Sequence, residues 1–218
     1  MLIRILACLA ISVTISLAAG CGRSDAPTEE SASVGVEPQA HATAPRPEPA
    51  GPPLVEVDTS LGKVTIELEP DKAPLTVDNF LHYVDRGQYN GTIFHQVARG
   101  VAALGGGYSP ELVARPANSS VRNEADASAK NRRGTIAMAR NPDVIDSATS
   151  QFFFNLADNP ELDHKGPEAP QYGYCVFGHV TSGQDVLDRL NAVPVEDKPN
   201  FQQLPAQAVL INSVRRLR

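Results

Sequence analysis

Short apolar runs broken by Gly, Pro and Asp are the strongest constraint on how this chain can fold. LVEVDT (54–59) and KVTIEL (63–68) alternate apolar with polar residues, and Ser60-Leu61-Gly62 separates them. That pattern predicts a hairpin. Further runs follow: TIFHQV (92–97), VAALG (101–105), GTIAMA (134–139), QFFFNL (151–156), YCVFGHV (174–180) and QAVLINSV (207–214). Helical spacing occurs twice. Val77, Phe80, Leu81 and Val84 share one face, with Pro74 suited to the first turn and Gly87 to the stop. Val186, Leu187 and Leu190 define a shorter helix over 183–191. Seven or eight short strands with two helices predict a mainly β fold, a closed antiparallel barrel capped at its ends.

The chain has 218 residues, 42% of them hydrophobic, which suits one ordinary domain with an appendage. The net charge of −6 and the pI near 5.4 argue against a nucleic-acid groove. Residues 1–20, MLIRILACLAISVTISLAAG, have the form of a secretory signal peptide: one cation, an apolar stretch, then small residues. Residues 21–53 read as a proline-rich linker without aromatic residues, too polar to offset its own ordering entropy. The folded domain is expected over 54–218.

Leu17-Ala18-Ala19-Gly20-Cys21 resembles the lipobox of bacterial lipoproteins. The resemblance implies lipidation of Cys21 and a membrane anchor, with several acyl chains giving stable attachment. It also implies a bacterial cell-envelope protein whose domain faces the periplasm or the exterior. Loss of Cys8 with the signal peptide and acylation of Cys21 would leave Cys175 as the one free thiol, so no intramolecular disulfide is expected.

Conventional catalytic signatures are missing. His41, His82, His95, His164 and His179 show no paired metal spacing, and no metal or other cofactor is expected. No G-x-S-x-G nucleophile elbow occurs. Gly105-Gly106-Gly107 lacks the Lys-Ser/Thr of a phosphate loop. Asp146 and Asp163 are read as solvated loop acids, and His82 as a helix-surface histidine.

The segments FHQVARGVAALGGG, GTIAMAR, SATSQFFFNLADNPELDH and YGYCVFGHV, in this order and spacing, resemble the cyclophilin family of peptidyl-prolyl cis–trans isomerases. The resemblance covers about 55–214. It implies an eight-stranded antiparallel barrel with two capping helices. It also implies a monomer acting on proline-containing peptides and unfolded exported proteins. Such an enzyme favours the twisted amide over both planar forms, which requires no nucleophile and no cofactor.

By that resemblance Gln151 contacts substrate backbone, Phe153 and Leu162 belong to the proline cup, and Met138 and Ala139 lie along the substrate strand. Arg140 offers its backbone there, and Tyr174 takes a pocket position held by His or Tyr. His95 is expected to be a satisfied structural histidine beside Phe94. The first half of the site departs from the family. Gln96 stands where the family has Arg, and Val101, Ala102 and Leu104 stand where it has Phe, Met and Gln. Gln96 is therefore the candidate catalytic donor, neutral and weaker than an Arg. Reduced isomerase activity is expected. The alternative is a non-catalytic peptide- or protein-binding lipoprotein of the same fold. Arg99 and Arg140 are the two cations considered as replacements, with solvated surface charges as the plainer reading of both.

Overall fold

The computed structural model describes residues 51–218. The expected signal peptide, Cys21 and nearly all of the expected linker lie outside these residues. The alternating runs form strands β1 (Leu54–Thr59) and β2 (Gly62–Leu68), paired in register from Leu54↔Glu67 to Thr59↔Gly62. Gly62 has φ +126°, and a Cβ there would meet Val186 at 3.0 Å and Arg189 at 2.9 Å, so the turn requires glycine. Helix α1 (Pro74–Asp85) follows, then β3 (Thr92–Ala98), β4 (Ala102–Gly105), β5 (Thr135–Met138), β6 (Phe152–Asn155) and β7 (Val176–Ser182). Helix α2 (Gln184–Ala192), β8 (Val195–Lys198), β9 (Phe201–Pro205) and β10 (Val209–Arg216) complete the order.

Eight strands close a barrel in the order β1-β10-β3-β4-β6-β5-β7-β2, with β2 paired back to β1. All its pairings are antiparallel, as the sequence predicts. The pleat divides each strand between two faces. Phe94, Phe152, Phe154 and Phe177 join Phe80 of α1 in the interior core. Phe80 meets Phe177 at 5.0 Å and Phe152 edge-on at 5.8 Å between ring centroids. Val77, Phe80, Leu81 and Val84 are buried as the helical spacing predicts, with Thr76 and Tyr83 added, and His82 is exposed.

Strands β8 and β9 form a separate hairpin outside the barrel, a feature not anticipated from the sequence. Its segment VEDKPNFQQLP is charged and proline-interrupted, so it carries no alternation signal. The hairpin lies against β3.

The start of α1 has no capping side chain of its own at Ala73. Glu124, distant in sequence, accepts hydrogen bonds from Leu75 N–H (3.2 Å), Thr76 N–H (2.9 Å) and the Thr76 hydroxyl (2.7 Å). Its carboxylate thereby serves the otherwise unpaired amides and the positive end of the helix dipole. Glu124→Ala is expected to lower the unfolding free energy by about 2 kcal/mol, and Glu124→Gln by less, because an acceptor oxygen remains. Denaturant midpoints of the two variants check this, and an equal loss in both would contradict it.

Candidate active site

Strand register brings the first group of predicted residues together. Gln96 pairs with Leu104, Leu104 with Phe153, Phe153 with Ala137, and Ala137 with Val176. This single row crosses five strands on the face opposite the Phe152–Phe154 core. Ala102, Leu104, Ala139, Phe153, Leu162 and Tyr174 form one apolar cluster there, with Val101 packed at its edge. Phe153 and Tyr174 meet edge-on at 5.7 Å between ring centroids. Met138, one residue before Ala139, turns the other way and joins the interior core.

Gln96 is half-buried beside this cluster. The β3–β4 register shifts between Phe94 and Gln96, so His95 is the residue β3 carries in excess. A bulge of this kind re-aims the neighbouring side chain. His95 is 5% exposed and packs on Tyr108 at 4.7 Å between ring centroids. Its nitrogens receive weak polar support from the Gln151 side chain and the Ile93 backbone rather than well-formed hydrogen bonds. This corrects the expectation of a satisfied histidine: the ring is structural, but burial and stacking hold it rather than hydrogen bonds. Burial pulls its pKa down to about 4, and the Gln151 and Ile93 contacts only partly oppose that.

The triple glycine is explained by packing. A Cβ on Gly105 would meet the Phe94 ring at 2.9 Å, and one on Gly106 the rings of Tyr89 and Phe152 at 2.9 Å. A Cβ on Gly107 would meet the Gln151 side chain at 2.6 Å, so Gly107 leaves the room in which that amide lies.

Both candidate replacement cations are engaged by carbonyls. Arg99, beyond the end of β3, donates from Nε and Nη2 to Val193 O at 3.2 and 2.7 Å. Arg140 is 4% exposed, which corrects the expectation of a solvated charge. It donates to Gly173 O (2.8 Å), Ala169 O (2.6 Å), Asn141 O (2.9 Å) and Pro142 O (3.2 Å), and its guanidinium carbon lies 5.0 Å from the Tyr174 ring centroid. Burial lowers its pKa from the ordinary arginine value. The planar fork serves several backbone segments at once, a geometry that Lys lacks.

Three buried asparagines also position the cluster and were not singled out from the sequence. Asn131 Nδ2 donates to Leu162 O at 3.1 Å and Tyr174 O at 3.3 Å. Asn155 donates to Asn131 Oδ1 at 3.1 Å, and Asn159 to Val101 O at 3.0 Å and Asn155 Oδ1 at 2.6 Å. Asn155 ending the apolar run FFFN was the one available signal. Asp163 accepts from Asn131 N–H at 2.8 Å and Asp146 from Asn123 N–H at 2.8 Å, so both acids anchor loops. Among the described residues, no group of three or more His, Cys, Asp or Glu could hold a metal ion.

The depressed His95 pKa sets the sign of one pH effect. The unfolded chain binds the His95 proton below about pH 6.5, whereas the folded chain resists it until about pH 4. Stability from this group is complete above pH 6.5 and falls away as the pH drops towards 4, by about 3 kcal/mol in all. Glu56, stabilised first by Arg215, has its pKa below 4.5, so its contribution is lost at lower pH. Urea unfolding at pH 7 and pH 4.5 is expected to show a loss in the wild type that His95→Gln largely removes. Parallel losses in both proteins would contradict the assignment.

A family model described as "Cyclophilin type peptidyl-prolyl cis-trans isomerase/CLD" matches residues 54–216. The chain is 44% identical over 161 residues to peptidyl-prolyl cis-trans isomerase A of Dickeya dadantii, covering 74% of this chain and 83% of that one. It is 42% identical over 161 residues to peptidyl-prolyl cis-trans isomerase B of Escherichia coli, covering 74% and 98%. The crystal structure of a Cryptosporidium parvum cyclophilin type peptidyl-prolyl cis-trans isomerase superposes with a TM-score of 0.61 at 23% identity, over 77% of this chain and 99% of that one. A cyclophilin from Hirschia baltica gives 0.58 at 23% identity, over 74% and 72%. These structures share the barrel, and the family model and the bacterial relatives establish that this chain belongs to the cyclophilin-type peptidyl-prolyl cis-trans isomerases.

Proposed function

We propose that this cyclophilin accelerates rotation about X–Pro bonds in exported proteins, from a lipid anchor at Cys21 in the bacterial envelope, at reduced turnover. The observation that carries the isomerase reading is the registered row Gln96–Leu104–Phe153–Ala137 beside Leu162 and Tyr174. The apolar cluster takes the proline ring. Gln151 and the backbone at Ala139 and Arg140 hold the flanking peptide.

The barrier to rotation is about 18–20 kcal/mol because twisting destroys amide resonance. Twisting also returns a lone pair to the prolyl nitrogen, and a donor placed there stabilises the twisted state. Gln96 supplies that donor without charge. A bond from a charged donor is about twice as strong, which is the basis for reduced turnover. Arg99 and Arg140 donate to protein carbonyls, so neither takes the replacement role.

Proline-limited refolding of a test protein measures the activity directly. Acceleration by the wild type is expected. Gln96→Arg should raise kcat/KM by up to about 10², and Gln96→Ala should lower it. A rate equal to the uncatalysed one, together with binding of a proline peptide, would establish the non-catalytic alternative instead. For the anchor, Cys21→Ser is expected to abolish acyl labelling and to move the protein from the membrane to the soluble fraction. Membrane retention without acyl label would sink the lipoprotein assignment.

A further inference from the structure

We propose that the β8–β9 hairpin is a positioning device for the active site. It acts through the ring stack Phe201–Tyr108–His95 on the Gln151 amide and on the bulge that presents Gln96. What this positioning achieves rests on the isomerase reading above; the packing itself does not.

The hairpin pairs with no barrel strand among the described residues, yet it lies along β3. Phe201 meets Tyr108 edge-on at 5.1 Å and 81°, and Tyr108 meets His95 at 4.7 Å and 60°. None of the three rings belongs to the interior core or to the apolar cluster of the site. The stack is therefore a third packing unit. It ends on His95, the extra residue of the β3 bulge, immediately before Gln96. Tyr108 directly follows Gly107, over which the Gln151 side chain lies. One stack thus braces both polar side chains that the isomerase reading uses.

One side-chain bond ties the two strands of the hairpin together. Asn200 and Gln203 hold φ of +67° and +52°, and Gln203 N–H donates to Asp197 Oδ1 at 2.8 Å. A small misplacement of a group that must meet a transition state costs far more rate than stability.

The experiment compares Phe201→Ala, Phe201→Tyr and Lys198→Ala in the full chain. Phe201→Ala is expected to lower kcat/KM by about tenfold in a protein that still unfolds cooperatively. Phe201→Tyr should return to within about twofold of the wild type, and Lys198→Ala, exposed on the same hairpin, should leave activity unchanged. Phe201→Ala placed on Gln151→Ala should cost much less than it does alone, because the two act through one contact. The side-chain amide resonance of Gln151 should move in Phe201→Ala and return in Phe201→Tyr. If Phe201→Ala does not fold, Phe201→Leu, which keeps bulk without a ring face, takes its place. Unchanged kcat/KM in a folded variant, or additive losses with Gln151→Ala, would overturn the proposal. If the wild type does not accelerate isomerisation, the isomerase reading fails, and the Gln151 resonance decides the rest. Movement in Phe201→Ala then upholds the brace, and an unmoved resonance removes it.

Discussion

Phe152, Phe153 and Phe154 are consecutive, yet the pleat of β6 sends the outer two into the barrel and the middle one to the opposite face, where it is buried in a second cluster. Everything at the site depends on that division. Phe152 and Phe154 pack with Phe80 and Phe94, fixing the strand from within. Phe153 then stands in a row with Leu104 and Gln96 that no backbone adjustment of the surface can displace without disturbing the core. A shift of one residue in β6 would exchange the two faces, placing two rings outside and one within. The core thereby enforces the register that assembles the site.

Segments with a strong period were legible in advance. The β1–β2 hairpin followed from strict alternation, and α1 from Val77, Phe80, Leu81 and Val84. Closure of the barrel followed from the number and spacing of short apolar runs. The hairpin at 195–205 was not legible, because its contacts to Tyr108 and β3 are tertiary and its own sequence is charged. Strand parity alone would put Arg99 and Gln96 on opposite faces. β3 ends at Ala98, however, so carbonyl partners decide where Arg99 goes. Arg140 illustrates the same limit. An arginine after GTIAMA gives no sign that several carbonyls will enclose it.

The polar groups around the site share one physical logic. Arg140 and the asparagines at 131, 155 and 159 are buried, and their hydrogen bonds run mostly to main-chain carbonyls or to one another. Each satisfied bond is worth little net, but a missing one leaves a desolvated group with no partner. Such a network therefore acts more on precision than on total stability. It holds Val101, Leu162 and Tyr174, which belong to three separate segments, at fixed separations around Phe153.

Strand β10 lies between β1 and β3 in the closed sheet, although it is the last strand in chain order. Leu217 N–H completes the seam by donating to Leu54 O at 2.7 Å. A nascent chain emerging from its N-terminus therefore holds β1 and β3 with facing edges unpaired until the final strand arrives. The cylinder cannot close progressively behind the ribosome. It must wait for its last staves, exposing sheet edges that invite aggregation until then. A chain of the prolyl isomerase family thus has a late, long-range closure as the final step of its own assembly.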